Sequence, residues 1–262
     1  QKVVSNPVLT PYSGVIFEQK RGKKTTYLSN EKKISDDIAK YLANNYKNIL
    51  LNLNFNYNDL QPFIWNGFNV NVRYTYLLNC FDLDKVWNGF DRSTRRSIKR
   101  AKKDNLYIRK ENNLENMIEL VEKTFDRQDM TIEHFKKKAY KYYKTLNLRN
   151  QCQPFICYDN KDRAIGGVFI VWDNKRSYYL LGGYDPNHGH HGASTLAMWE
   201  AIKYTSDELN LEQFDFEGSM IQPVEKFFRK FGGDLTPYYQ VNYGNLLFNI
   251  YQKLAKLKLK YF

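Results

Sequence analysis

In the second half of the chain the spacing of apolar positions marks one element after another. A short strand over 106–110 precedes a helix carrying Leu114, Met117, Ile118, Val121 and Phe125 at three- and four-residue intervals. A second helix, rich in Lys and Tyr, is expected from about 131 to 146. The period then shortens to two. Residues 153–158, 164–172 and 177–183 read as strands joined by the turns Asp159-Asn160-Lys161-Asp162 and Asp173-Asn174-Lys175, hence an antiparallel meander. A polar loop leads to a helix from Ala193 to about Ser206, a strand over 213–217, a helix over 223–231 and a last strand over 238–243. Pro223 opens that second helix and Gly232-Gly233 stops it.

The chain before residue 82 repeats the tail of that order, with a strand over 15–18, a helix over 34–46, a strand over 49–55, a helical turn near Leu60 and a strand over 68–78. In the last of these, Phe68, Val70, Val72, Tyr74, Tyr76 and Leu78 alternate with Asn69, Asn71, Arg73 and Thr75, as a half-buried strand requires. A repeated order without repeated residues suggests two related halves, the first shortened. Coincidence is the alternative, because such alternation is common in α/β proteins.

With 262 residues, 42% of them hydrophobic, the chain has enough apolar surface for one large core or two fused smaller ones. No apolar run approaches the roughly 20 residues of a membrane span, and the stretch from Gln1 lacks a signal-like pattern of charge followed by an apolar run. Cys80, Cys152 and Cys157 form neither an even set nor a CxxC pair, which argues against a disulfide framework or structural zinc. A soluble protein of the reducing cytoplasm is expected, with the inner membrane surface within reach. Forty Lys and Arg against 28 Asp and Glu give a formal charge of +12, which favours RNA, anionic headgroups or phosphate-bearing substrates such as coenzyme A and UDP-linked sugars.

The densest positive charge lies in Asp91-Arg92-Ser93-Thr94-Arg95-Arg96-Ser97-Ile98-Lys99-Arg100-Ala101-Lys102-Lys103, a capped basic helix preceded by Trp87. With Trp87 it resembles the signature that opens the second domain of FemAB-like proteins of the GNAT superfamily. A second block, Phe214-Asp215-Phe216-Glu217-Gly218-Ser219 followed by Val224-Glu225-Lys226-Phe227-Phe228-Arg229-Lys230-Phe231-Gly232-Gly233, is similar to the strand end and helix of the same family. The resemblance spans about 82–243. It implies an α/β fold with a GNAT-like mixed sheet flanked by helices, and transfer of an acyl or aminoacyl group to an amine of a cell-envelope precursor, peptidoglycan or amino sugar. The donor would be acyl-CoA or aminoacyl-tRNA and the acceptor a UDP- or lipid-linked amine, with no permanently bound cofactor. The expected division is 1–81 as a partial GNAT-like half, 82–243 as the transferase domain and 244–262 as a basic amphipathic helix that docks.

In such a fold two neighbouring strands splay apart and leave backbone N–H groups unpaired in a cleft. Here those strands are 177–183 and 213–217. Leu181, Gly182 and Gly183 are the candidate backbone donors, although Gly182-Gly183 as a plain strand break is the commoner meaning of such a pair. The loop from Asp185 into the helix, through His191, Gly192, Ala193 and Ser194, stands where the family carries its pyrophosphate loop, so its N–H groups could hold the donor phosphates. His188, His190 and His191 cluster there. Solvated loop histidines explain them without a metal, and no metal is expected.

Glu217 and Asp215 sit at the end of the strand beside the cleft, where one could take the amine proton and the other orient the amine. Capping the strand end is the competing role. Glu225 is a weaker candidate and Tyr184 could protonate the leaving group. Arg92, Arg95, Arg96, Lys99 and Arg100 could grip acceptor phosphates or an RNA backbone, or form a solvated helix face. The rival to an enzyme is a non-catalytic basic module that binds RNA or membrane.

Overall fold

The computed structural model describes residues 3–7, 9–17, 22–126, 133–218 and 220–244. In chain order the elements are β1 (Val3–Ser5), α1 (Lys24–Asn45), β2 (Asn48–Leu53), α2 (Gln61–Trp65), β3 (Asn69–Asn79), α3 (Leu83–Gly89) and α4 (Arg92–Lys103). They continue with β4 (Tyr107–Lys110), α5 (Glu115–Asp126), α6 (Glu133–Asn147), β5 (Cys152–Tyr158), β6 (Ala164–Trp172), β7 (Arg176–Tyr184), α7 (Ala193–Asp207), β8 (Gln213–Asp215), α8 (Gln222–Arg229) and β9 (Asp234–Tyr243). Contacts group the chain into two compact units, one of Gln1–Tyr74, Ser219–Ile221 and Thr236–Phe262, the other of Thr75–Gly218 and Gln222–Leu235. These units divide between Tyr74 and Thr75, inside β3, and most of β9 groups with the first unit. The basic helix expected within 244–262 lies outside the described residues, which end at 244.

In the first unit the strands run in the order β1-β2-β9-β3, with β1 parallel to β2 and β9 antiparallel to it. One sheet face packs Ile49, Leu53, Phe68 and Val241 against Ala39 of α1 and Phe63 of α2. The other is polar, with Asn71 donating to Asn242 and Gln240 to Asn52. Helix α1 begins at Lys24, earlier than the sequence pattern suggested, because its first turns are too polar to show an apolar stripe. No strand forms over the described part of 15–18; Ser13 makes an isolated bridge to Leu53, and β1 was not anticipated.

The second unit orders its strands β3-β8-β7-β6-β5-β4. The pairs are antiparallel except β7 with β8, which makes the sheet mixed. Helix α7 lies against one face and buries Ala193, Leu196, Ala197, Met198, Trp199, Ala201 and Ile202. Trp87, Phe90, Trp199 and Phe231 close that core, with Phe90 ring centroids 5.2 Å from both Trp199 and Phe231. These aromatics explain why α3 stops before the basic stretch: Phe90 turns inward and Asp91 starts α4, accepting the Ser93 N–H at 2.7 Å. Thr94, Ile98 and Ala101 form the one buried stripe of α4, and its last turn carries Arg100, Lys102 and Lys103, which suit the negative helix end. Gly232 ends α8 region at φ +73°, where a Cβ would also come within 2.7 Å of the Gly89 carbonyl oxygen. Among the described residues no helix is long and apolar enough to cross a membrane.

Candidate active site

Strands β7 and β8 pair in parallel only at Arg176 with Gln213, Ser177 with Phe214 and Tyr178 with Asp215. Beyond that point β8 stays with β3, as the Phe216 N–H donates to the Tyr76 carbonyl at 3.1 Å, while β7 continues to Tyr184 along β6. The two strands therefore part after Tyr178. A bulge accompanies the parting, because Ile170 faces Tyr179 and Phe169 faces Leu181, so Leu180 is an inserted residue.

The alternation of antiparallel pairing shows which amides face the gap. The Asp185 N–H donates to the Ile165 carbonyl of the β6 side at 3.1 Å. Counting back in steps of two, Gly183 and Leu181 also turn their N–H toward β6, while Tyr184 and Gly182 turn theirs to the opposite edge. The Tyr184 N–H is taken by Thr124 Oγ1 at 3.2 Å. Gly183 has a packing reason to lack a side chain, since a Cβ there would come within 2.7 Å of the Leu120 backbone in α5. Gly182 differs: a Cβ there would collide with the Tyr179 hydroxyl. The phenol of Tyr179 thus lies over the face of β7 at Gly182.

At the end of β8, Asp215 is fully buried, and its Oδ1 accepts from Thr75 Oγ1 at 2.6 Å and from the Glu217 N–H at 2.8 Å. That second bond holds Glu217 in the left-handed region at φ +56°, a conformation that costs of order 1–3 kcal/mol for a residue with a side chain. Glu217 is half-buried as a residue, yet its Oε1 is shielded from solvent with no hydrogen-bond partner among the described residues. Burial first, and then the repulsion of Asp215, hold the Glu217 carboxyl well above the ordinary range. Burial raises the Tyr179 phenol as well, with the Glu217 charge adding to it. Sequence spacing passed over Tyr179, which carries this link between Gly182 and Glu217.

Glu225 is engaged elsewhere, accepting from the Tyr76 hydroxyl at 2.7 Å with Arg229 Nε at 3.6 Å. The Tyr184 ring packs on Gly189, where a Cβ would strike its hydroxyl. Asp185 shapes the loop that follows. Burial opposes its ionisation, but Lys123 Nζ at 2.9 Å and the N–H groups of Asn187 and His188 overcome this and hold the carboxyl far below the usual range. Further along, the Gly192 N–H donates to His190 Nδ1 at 3.0 Å and the Ala193 N–H to the His190 carbonyl at 2.9 Å. Ser194 lies over β6, its N 3.2 Å from where a Gly166 Cβ would stand, and His191 is exposed. Among the described residues no three His, Cys, Asp or Glu side chains gather at metal-binding distances. Cys80, Cys152 and Cys157 are free and buried, and burial pushes each thiol up to about 12.

Helix α4 borders this loop, since a Cβ on Gly192 would lie 2.5 Å from the Ser97 carbonyl oxygen and 2.8 Å from Ala101 Cβ. Arg92, Arg96 and Lys99 are exposed and Arg95 is half-buried. None of the four meets a carboxylate within 4.0 Å among the described residues. At the other end of α4 the Asp91 N–H donates to the Lys230 carbonyl at 2.8 Å, which brings the end of α8 and its exposed Lys230 alongside.

The sequence matches the family model described as "Acetyltransferase (GNAT) domain" over residues 89–226, more than half of the chain. No curated protein matches it. The fold is similar to that of FemX, with a TM-score of 0.63 at 15% identity, over 87% of this chain and 79% of that one. It is also similar to a conserved protein of unknown function from Bacteroides thetaiotaomicron, with a TM-score of 0.56, 12% identity and coverage of 85% and 76%. L-PGS from Bacillus licheniformis gives 0.54, 8% identity and coverage of 81% and 73%. With the parting strands, the bulge and the family match in place, the chain belongs to the GNAT acetyltransferase family and is an acyltransferase.

Proposed function

We propose that the chain moves an acyl or aminoacyl group from acyl-CoA or aminoacyl-tRNA to an amine of a cell-envelope precursor, in the gap between β7 and β8. The observation that carries this reading is the pairing of one outward amide, Gly182, with one shielded carboxyl, Glu217, across strands that part after Tyr178. The Gly182 N–H stabilises the oxyanion as the amine nitrogen attacks the donor carbonyl. Glu217 accepts the proton that the attacking amine loses; a carboxylate raised toward neutrality is better matched to that task than an ordinary one. Collapse of the tetrahedral intermediate breaks the bond to the thiol sulfur or ribose oxygen, and Tyr179 supplies the proton that this leaving group needs. Tyr184 is set aside for that step because its ring packs on Gly189. Asp215 acts as the support that orients Glu217.

Donor phosphates would rest at the start of α7. There Gly192 and Ala193 use their N–H groups internally, so Ser194 and Thr195 are the amides offered to the anion. Arg92, Arg95, Arg96 and Lys99 would hold phosphates of a UDP- or lipid-linked acceptor or of the charged RNA. Both donor classes are cytoplasmic, which places the reaction there or at the inner membrane surface. The similarity in fold to FemX and L-PGS supports the envelope setting. Mass spectrometry of amino-sugar and peptidoglycan precursors, incubated with coenzyme A thioesters or charged transfer RNAs, tests the proposal. A mass gain with the wild-type protein and none with Glu217→Gln is expected; equal gain with both proteins would remove Glu217 from the reaction.

A further inference from the structure

We propose that His190 is a positioning residue, a neutral imidazole that clamps the loop before α7 to the end of α4 and fixes the anion-binding frame on which the donor reading rests. Its Nδ1 lies 3.0 Å from the Gly192 nitrogen, and its Nε2 lies 3.0 Å from Asp104 Oδ2. A backbone amide can only donate, so Nδ1 carries the lone pair. Asp104 is the residue that closes α4, and the same Oδ2 accepts from Arg100 Nε at 2.6 Å. The side chains of Arg100 and then His190 hold the Asp104 carboxyl below its ordinary range, so it is ionised and can only accept. The ring proton therefore sits on Nε2, and both ring nitrogens are engaged without a positive charge.

The backbone of His190 completes the clamp, because its carbonyl accepts the Ala193 N–H at 2.9 Å. One residue thus takes up the N–H groups of Gly192 and Ala193 and leaves those of Ser194 and Thr195 as the amides an anion meets. The contact is tight enough to need glycine at 192, whose missing Cβ would lie 2.5 Å from the Ser97 carbonyl oxygen in α4. Arg100 is committed to Asp104, which leaves Arg92, Arg95, Arg96 and Lys99 for a ligand. The helix that brings the cations and the helix that brings the amides are far apart in sequence. The Arg100–Asp104–His190–Gly192 chain fixes their separation, so an anion can meet the Ser194 and Thr195 amides without first ordering the loop.

Three variants separate this role from simple packing. His190→Phe keeps the ring and removes both bonds, His190→Asn keeps an acceptor near Gly192, and His190→Gln keeps a donor that reaches toward Asp104. With coenzyme A and inorganic pyrophosphate as probes, His190→Phe should bind roughly tenfold more weakly, the loss of about one hydrogen bond's ordering. His190→Asn should recover part of that loss, and the transfer rate at saturating donor should change less than the donor KM. Wild-type affinity in His190→Phe would overturn the clamp. Two measurements judge the clamp even if the wild-type protein binds neither probe, which would count against the donor reading alone. Nitrogen-15 spectra of the folded wild-type protein at neutral pH should show a protonated Nε2 and a bare Nδ1 for His190, and the Gly192 amide should exchange slowly. The other tautomer, or a rapidly exchanging Gly192 amide, would overturn it.

Discussion

Glu217 has three unusual properties that share one origin. Its amide is drawn to Asp215, its backbone is left-handed and its carboxyl is pushed into a shielded place. An acid whose folded pKa is raised binds its proton more tightly in the native state, so stability is highest below the unfolded pKa and falls as pH rises through the shifted one. Glu217→Gln should therefore raise the melting temperature at neutral and alkaline pH while lowering the transfer rate by about 10²- to 10⁴-fold. Thermal melts across pH check the first part; a variant no more stable than the parent at pH 8 would mean the carboxyl is not strained. The same shift gives a direction for catalysis. In the wild type the pH profile of kcat/KM should fall on its acidic side at a midpoint well above the ordinary carboxylate range, and a midpoint near that range would show that another group takes the proton.

Tyr179 shows why part of the site was hidden in the sequence. In an unbroken strand Tyr179 and Gly182, three positions apart, would face opposite ways. The inserted Leu180 changes the phase and brings the phenol over the glycine. No residue type announces such a bulge, so spacing pointed to Tyr184 instead. Tyr179→Phe keeps the contact with Phe228, whose ring centroid is 5.2 Å away, and removes only the proton. Its transfer rate should drop about 10²-fold with the fold intact, as judged by an unchanged melting curve. An unchanged rate would leave the leaving group to find its proton elsewhere.

At the level of elements, the meander β5-β6-β7 was legible as apolar runs of strand length bounded by polar turns, and the helix from Ala193 as an apolar stretch of helix length after a polar loop. The gap between β7 and β8 was expected from the family resemblance alone, and the strands pair over Arg176–Tyr178 and part beyond it. The length of β8 was not, since it ends at Asp215 where a side-chain bond diverts the chain. The start of α4 at Asp91 was legible as a cap, but α3 before it was not, since its end depends on Phe90 finding Trp199 and Phe231 across the core. The stop after α8 is a sharper test of element packing. Gly232→Ala meets both a left-handed φ of +73° and the Gly89 carbonyl oxygen at 2.7 Å, and should cost about 1–3 kcal/mol in denaturant unfolding. A cost near zero would mean that the loop before α4 is not held against α8.

Helix α4 also carries a prediction about binding. Replacing Arg95 and Arg96 together with Ala removes two cations that have no carboxylate partner among the described residues, so the fold should lose little. If they hold substrate phosphates, the KM for donor or acceptor should rise about tenfold or more, with a marked dependence on salt. An unchanged KM would return them to a solvated surface.

For the whole molecule, the family match over residues 89–226 falls mostly in the second unit, whose strands carry both walls of the gap where the reaction is proposed. The first unit repeats the alternation of helix and strand in a shorter form, and its polar sheet face supplies no group to the chemistry proposed above. Amide hydrogen exchange of the wild-type protein, with and without the donor that supports transfer, tests the central claim most directly. Bound donor should slow exchange at Gly182 and at Ser194 and Thr195 while leaving Leu181 and Gly183 as they were. Slowing confined to other strands, with Gly182 unaffected, would contradict the placement of the acyl group between β7 and β8.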